Sequence, residues 1–221
     1  NLSGMLSILE ALKKHPQTPL IFASSSSVYG TNNTTTFDIH DKTDSPSNFY
    51  GATKKANELM AYSYHHLYKN PMVGLRFFTV YGPFGRPDMA YFSFADKIQK
   101  DQTIDIYNYG SMQRDFTYID DIVDGIIASI HYAKGFDIFN LGNHRPVPLM
   151  HFVETLEKHF GKEAEKKLLP MQKGEMVSTC ANIDASIEKL GYHPKVSIHE
   201  GLKRFVKWYK EYYGINVTAL K

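Results

Sequence analysis

Apolar residues recur at helical spacing in the first segment, where Leu2, Met5, Leu6, Leu9 and Leu12 line one side of an amphipathic helix ending near Lys14. His15-Pro16 breaks it, and Pro19-Leu20-Ile21-Phe22-Ala23 is continuously apolar, as a short buried strand is. The Thr/Asn/Asp-rich stretch from Gly30 to Ser47 reads as a loop. Ser47 is positioned to cap a helix that carries Tyr50 and Lys54 and runs to about Leu67. Met72 to Phe78 is a second strand. Further along, the pattern predicts a helix over 91–99, a strand over 104–107 and a helix from Tyr118 to Tyr132 with Asp120-Asp121 capping its start. A strand and turn over 137–142 and a helix over 149–160 follow. The last helix, about Ile198 to Tyr213, is expected to bury Leu202, Phe205, Val206 and Tyr209.

Helices alternating with short apolar strands indicate an α/β protein with a parallel sheet. In such sheets ligands bind beyond the carboxyl ends of the strands. Ser24-Ser25-Ser26-Ser27 occupies that position on the first strand, and Thr79-Val80-Tyr81-Gly82-Pro83 on the second. The turn-rich run Gly82 to Pro87 marks a plausible boundary.

Composition narrows the class. The 221 residues are 43% hydrophobic and 22% charged with net charge +2, which carries no nucleic-acid signature. Cys180 is the single cysteine, which excludes an internal disulfide and fits a reducing, cytoplasmic compartment. No apolar run approaches the roughly 20 residues that span a bilayer. The ten histidines show no metal-ligand spacing, and His65-His66 reads as surface.

Tyr50 and Lys54, four apart, share one helix face. A tyrosine titrates near pH 10, so half ionisation near pH 7.5 needs about 3.4 kcal/mol of differential stabilisation. One cation at about 4 Å supplies roughly 4 kcal/mol at an effective dielectric of 20. A tyrosine beside a lysine, with a serine hydroxyl opposite, is therefore equipped to remove a proton from an alcohol. A Tyr-x-x-x-Lys spacing also arises by chance on solvated helices, and a serine run can be no more than a strand-exit turn. It is their order, at two corresponding strand ends, that favours chemistry.

Several runs resemble extended short-chain dehydrogenase/reductases of the nucleotide-sugar epimerase/dehydratase family. They are Asn1-Leu2-Ser3-Gly4, Ala23 to Gly30, Tyr50-Gly51-Ala52-Thr53-Lys54, Arg76 to Pro83 and Arg114 to Asp121. The stretch Arg76 to Ala90 is most similar to UDP-glucuronate 4-epimerases. The resemblance implies the carboxyl-terminal portion of a doubly wound, Rossmann-like domain over 1–85. A smaller α/β substrate domain would occupy 86–221, with roughly 115–142 returning to pack on the first. It also implies bound NAD, recycled through transient oxidation at sugar C4 and return of the hydride to the other face. Tyr50 would take the C4 hydroxyl proton, Ser25 would share it, and Lys54 would favour the phenolate and hold the nicotinamide ribose. Phe77 would lie near the nicotinamide. Ser26, Ser27, Thr79 and Arg86 correspond to positions facing a sugar carboxylate, Arg114 to one pairing with the diphosphate, and Tyr107 and Glu175 to positions around uracil and ribose. Glu175 departs from the commoner Asp.

Related dehydratases and decarboxylases carry an acid just after the catalytic hydroxyl, where this chain has Ser26 and Ser27. The implied reaction is thus 4-epimerisation of a UDP-sugar, UDP-glucuronate to UDP-galacturonate. Alternatives are a neutral or N-acetylated UDP-hexose as substrate, a sugar-nucleotide dehydratase or decarboxylase, or an inactive nucleotide-sensing scaffold. The glycine-rich dinucleotide fingerprint does not occur in the sequence. The chain therefore reads as the carboxyl-terminal two-thirds of an enzyme, and alone is expected to bind NAD poorly. A homodimer through the Tyr/Lys helix and its neighbour is compatible with the Met- and Tyr-rich segment 56–68.

Overall fold

A three-stranded parallel sheet organises the computed structural model, which describes residues 1–31, 34–172 and 176–215. In chain order the elements are α1 (Leu2–Leu12), β1 (Leu20–Ser25), α2 (Phe49–Tyr68), β2 (Met72–Phe77) and β3 (Thr79–Tyr81). Then come α3 (Ala90–Gln99), β4 (Ile104–Ile106), β5 (Gln113–Arg114), β6 (Phe116–Tyr118) and α4 (Ile119–Tyr132). The chain closes with β7 (Phe136–Leu141), β8 (Val147–Pro148), α5 (Leu149–Phe160), β9 (Lys166–Leu168), α6 (Asp184–Leu190) and α7 (Ile198–Tyr212). The sheet order is β1-β2-β7. Strand β2 lies in the middle and buries its first five residues, as a central parallel strand must. Its register sets Ser24 beside Arg76 and Ser25 beside Phe77. Parallel neighbours require a crossover, and α2 supplies the one between β1 and β2.

Helix α1 packs on α2 and the sheet through Met5, Leu9 and Leu12, which cluster with Phe22, Ala61 and Met72. The buried stripe is narrower than the spacing suggested, because Leu2 and Leu6 remain exposed. Asn48, not Ser47, caps α2. It is extended, and its side-chain oxygen accepts from Gly51 N at 2.8 Å. An Ncap side chain reaches the N–H three residues on, and from Ser47 that reach falls one residue short of the donor. Helix α4 starts one residue later than expected and has no side-chain cap. Asp121 instead turns inward and accepts from Lys195 N and Val196 N, both at 3.0 Å. Those loop donors have no strand to pair with, so a buried carboxylate satisfies them. Asp120 stays exposed and pairs with Arg204.

The second layer is aromatic. Tyr81, Phe92, Phe116, Phe152, Phe205 and Tyr209 join one buried cluster between α3, α5 and α7. Phe116 stacks on Phe152 with ring centroids 4.2 Å apart. Leu202, Phe205, Val206 and Tyr209 of α7 are buried as the sequence predicts. Three two-stranded pairs frame this cluster: β3 with β6 and β4 with β9 are parallel, and β5 with β8 is antiparallel. No helix among the described residues is long and apolar enough to cross a membrane.

Candidate active site

The carboxyl ends of β1 and β2 bring the serine run to one crevice. Ser25 closes β1, and its Oγ accepts from Ser27 N at 3.2 Å. Ser26 and Ser27 follow in a 3-10 turn spanning Ser26–Tyr29 and are half-buried. Gly51 decides how closely α2 approaches this turn. A methyl group there would lie 2.5 Å from the Ser27 carbonyl oxygen, so a side chain at this position would push the helix off the turn. Gly30, at φ 60°, closes the same turn against the Ser45 carbonyl, which a Cβ would overlap.

Tyr50 therefore enters the crevice from the first turn of α2 and is half-exposed. One turn on, the Lys54 ammonium lies 5.8 Å from the centre of the Tyr50 ring and donates to Ala23 O at 3.0 Å. Partial burial pulls the Lys54 ammonium below the ordinary lysine value. Phe77, half-buried, closes β2 beside Ser25. Thr79 opens β3, its N–H donating to Asp115 O at 3.2 Å. Arg86 sits on the exposed segment between β3 and α3 and forms a two-bond pair with Asp88, at 3.0 and 2.5 Å. That pairing, reinforced by the nearby Tyr50, raises the Arg86 guanidinium above its usual value, and it holds the Asp88 carboxyl below its own.

Tyr107 and Arg114 belong to the other layer. Tyr107 opens the 3-10 turn after β4 and rests on the aromatic cluster. Arg114, in β5, donates from Nη1 to Gln113 O at 2.9 Å and to Val177 O at 3.3 Å. Glu175 lies outside the described residues. The structure thus gathers Ser25, Ser26, Ser27, Tyr50, Lys54 and Phe77 around the strand ends, leaves Arg86 on the exposed segment after β3, and sets Thr79, Tyr107 and Arg114 on or beside the small sheets.

Two groups escaped the sequence reading. Asp115 is fully buried, and its carboxylate accepts from Asn143 N (2.6 Å), Ala181 N (2.8 Å) and His144 N (3.1 Å). Burial raises its carboxyl above the usual range against the pull of those donors. It ties the strand of Arg114 to the loops after β7 and before α6. Glu58 and Arg76 are the second group, a buried ion pair under α2. Both left a signal: Glu58 continues the Tyr50/Lys54 spacing by another four residues, and a charge inside an otherwise apolar strand, as at Arg76, demands a partner. Among the described residues no cluster of three His, Cys, Asp or Glu side chains suits a metal ion.

Relatives show the same scaffold. An uncharacterized protein of Methanocaldococcus jannaschii is 53% identical over 96% of this chain and 65% of its own length. UDP-glucuronate 4-epimerase 5 of Arabidopsis thaliana is 46% identical over 96% of this chain and 53% of its own. The chain therefore spans between about half and two-thirds of these relatives. The crystal structure of UDP-glucuronic acid 4-epimerase from Bacillus cereus, in complex with UDP-glucuronic acid and NAD, superposes with a TM-score of 0.90 at 33% identity, covering 96% of this chain and 68% of that one. The family model that matches residues 1–142 takes in the strand-end crevice and, in the other layer, Tyr107 and Arg114, and by that match the chain belongs to the NAD dependent epimerase/dehydratase family.

Proposed function

We propose that this chain carries the proton-transfer and sugar-binding groups of an NAD-dependent UDP-sugar 4-epimerase, with UDP-glucuronate and UDP-galacturonate as the interconverted pair. The observation that carries the reading is the meeting of Ser25, Phe77 and the first turn of α2 at the ends of two adjacent parallel strands. Tyr50 Oη accepts the C4 hydroxyl proton. Ser25 donates to the same sugar oxygen and relays the proton, since its Oγ is already oriented by Ser27 N. Lys54 places a cation beside the phenol, and its bond to Ala23 O fixes where that cation stands.

The residues suit the nicotinamide end of NAD: a half-exposed phenol, an adjacent ammonium and the Phe77 ring border one strand-end crevice. Tyr50, Lys54 and Phe77 would hold that end, with the dinucleotide side in residues 1–85 and the sugar-nucleotide side in 86–221. When bound, NAD supplies the acceptor and later the donor of the hydrogen that leaves and returns to C4. Ser26, Ser27, Thr79 and Arg86 bind the sugar carboxylate, three hydroxyls and a guanidinium being a suitable set. Arg114 takes the diphosphate, and Tyr107 with Glu175 the uracil and ribose. The Bacillus cereus enzyme, solved with UDP-glucuronic acid and NAD, supports this choice of substrate and cofactor. The lack of an acid at Ser26 and Ser27 supports epimerisation over dehydration or decarboxylation. A second copy of the chain is the proposed partner, docking on the exposed Leu2 and Leu6 of α1 and Leu59, Tyr62 and Leu67 of α2.

One observation favours a neutral UDP-hexose instead: Arg86 already has a carboxylate partner in Asp88. The full-length protein incubated with UDP-glucuronate should yield UDP-galacturonate by chromatography. Tyr50→Phe should lower turnover by about 10²–10⁴-fold. Unchanged turnover in that variant would sink the mechanism, and conversion of UDP-glucose but not UDP-glucuronate would select the second reading.

A further inference from the structure

Directly beneath the Tyr50 helix lies the most withdrawn pair of opposite charges in the described residues. The Glu58 and Arg76 side chains are each 4% exposed. Arg76 Nε donates to Glu58 Oε1 at 2.8 Å and Nη2 to Oε2 at 2.9 Å, a planar two-bond fork. Ser24 Oγ donates to Oε1 at 2.6 Å, and Lys55 Nζ reaches Oε2 at 3.3 Å. The remaining Arg76 nitrogen, Nη1, donates to Tyr29 Oη at 3.0 Å and Ile39 O at 3.3 Å. Tyr29 Oη donates onward to Asn140 Oδ1 at 2.6 Å, and Asn140 Nδ2 donates to Phe37 O and Asn182 O. One polar network thus joins α2, the ends of β1, β2 and β7, the serine turn and two loops.

Cohesion alone does not call for such a pair. Withdrawing two charges from water costs about what their attraction returns, and apolar side chains of the same volume hold elements together as well. What the fork adds is direction. It fixes the rotation and axial position of α2 against β1 and β2, which apolar contacts leave free to slide. Glu58 lies one turn beyond Lys54 and two beyond Tyr50, so all three share a face. A helix with its side chains has a radius of about 6 Å, so a 10° rotation moves a group at its rim by about 1 Å. A misplacement of that size costs a reaction on the order of 100-fold.

We propose that the Glu58–Arg76 pair is the positioning device that sets Tyr50 and Lys54 against Ser25, so that turnover depends on it and sugar-nucleotide affinity does not. The proposal rests on the reading of Tyr50 as the base. Ser24 belongs to the same device, since it joins the neighbour of Ser25 to the Glu58 carboxylate.

The test uses the full-length protein with Glu58→Gln, Arg76→Lys and Ser24→Ala, assayed well below their melting temperatures. Ser24→Ala deletes a single hydroxyl and is the variant least prone to misfold. Glu58→Gln and Arg76→Lys are expected to lower kcat by at least ~10-fold, and Ser24→Ala by about 3-fold, with KM and the UDP-sugar Kd from calorimetry within about twofold of wild type. Wild-type kcat in folded variants, or a parallel loss of affinity, overturns the proposal. Crystal structures of the wild type and Ser24→Ala or Glu58→Gln give a readout independent of turnover. The distance from Tyr50 Oη to Ser25 Oγ should change by at least ~0.5 Å, the tolerance of a working site. An unchanged distance overturns the positioning role. A changed distance in a wild-type background that turns over no UDP-sugar leaves positioning standing and removes the epimerase reading.

Discussion

The strand-end crevice and the aromatic layer are built on opposite plans. Around Phe92, Phe116, Phe152, Phe205 and Tyr209 the chain buries rings against rings, mostly edge to face, and few polar atoms take part. Around Ser24, Glu58, Arg76, Tyr29 and Asn140 it buries charges and hydroxyls that are partnered in specific directions. Burial of apolar area is non-directional and strong; the polar network is directional and close to neutral in net stability. The difference separates two tasks. The aromatic layer keeps the chain folded, and the polar layer keeps its reactive groups in register.

That contrast makes truncation of an aromatic the most destabilising substitution. Phe152→Ala removes a fully buried ring that stacks on Phe116 and should cost about 3–5 kcal/mol in urea unfolding. A loss below about 1 kcal/mol would mean the layer collapses around the gap and is not the stabilising half. Asp115→Ala comes next, because it strips the acceptor from three backbone N–H groups at once. About 3 kcal/mol is expected, together with faster amide exchange at Asn143, His144 and Ala181, since an unsatisfied buried donor keeps its desolvation penalty. Exchange unchanged at those three amides would show that Asp115 does not knot the loops.

How legible each plan was follows from the range of its interactions. The long helices α2, α5 and α7 and the strands β1, β2 and β7 announce themselves by periodicity, and their bounds fall within about two residues of expectation. Strands β3, β5, β6, β8 and β9 and helix α6 did not. The strands have two or three residues each, too few to show a period, and exist because a partner arrives from elsewhere, as Ile104 pairs with Lys166. In the site, Ser25, Tyr50 and Lys54 were legible because they sit at strand ends and at one-turn spacing. Asp121 was misread as a cap because its partners, Lys195 and Val196, lie more than 70 residues away. Arg76 was a letter in a motif until its register beside Ser24 showed which carboxylate it faces.

The polar layer also predicts an acid signature that the aromatic layer lacks. Burial pushes the Glu58 carboxyl up, but the Arg76 guanidinium, with Ser24 and Lys55, outweighs it and holds the group below the ordinary carboxylate value. A folded-state value below the unfolded one means a stabilising contribution that is full above the unfolded value, near ~4.3, and is lost as pH falls through the folded value. The stability gap between wild type and Glu58→Gln should therefore be widest near neutral pH and narrow below about pH 4. A gap independent of pH would mean that the Glu58 carboxyl titrates alike in the folded and unfolded protein, so that the fork does not favour its charged form.

The smallest structural effect is expected at the rim, where the comparison sharpens into a question about substrate. Arg86 and Asp88 form the same kind of two-bond fork as Arg76 and Glu58, but in open solvent, where the side chains are 74% and 65% exposed. Water screens such a pair and the two side chains lose rotamer freedom in making it, so Asp88→Asn should leave the melting temperature unchanged. Its effect should appear in binding alone. Asp88 competes for Arg86 with any incoming carboxylate, so releasing the guanidinium should tighten UDP-glucuronate by a few-fold in calorimetry while leaving UDP-glucose unaffected. Equal changes for both sugars would show that Arg86 does not read the carboxylate. A drop in melting temperature would show that the exposed fork, like the buried one, holds part of the scaffold in place.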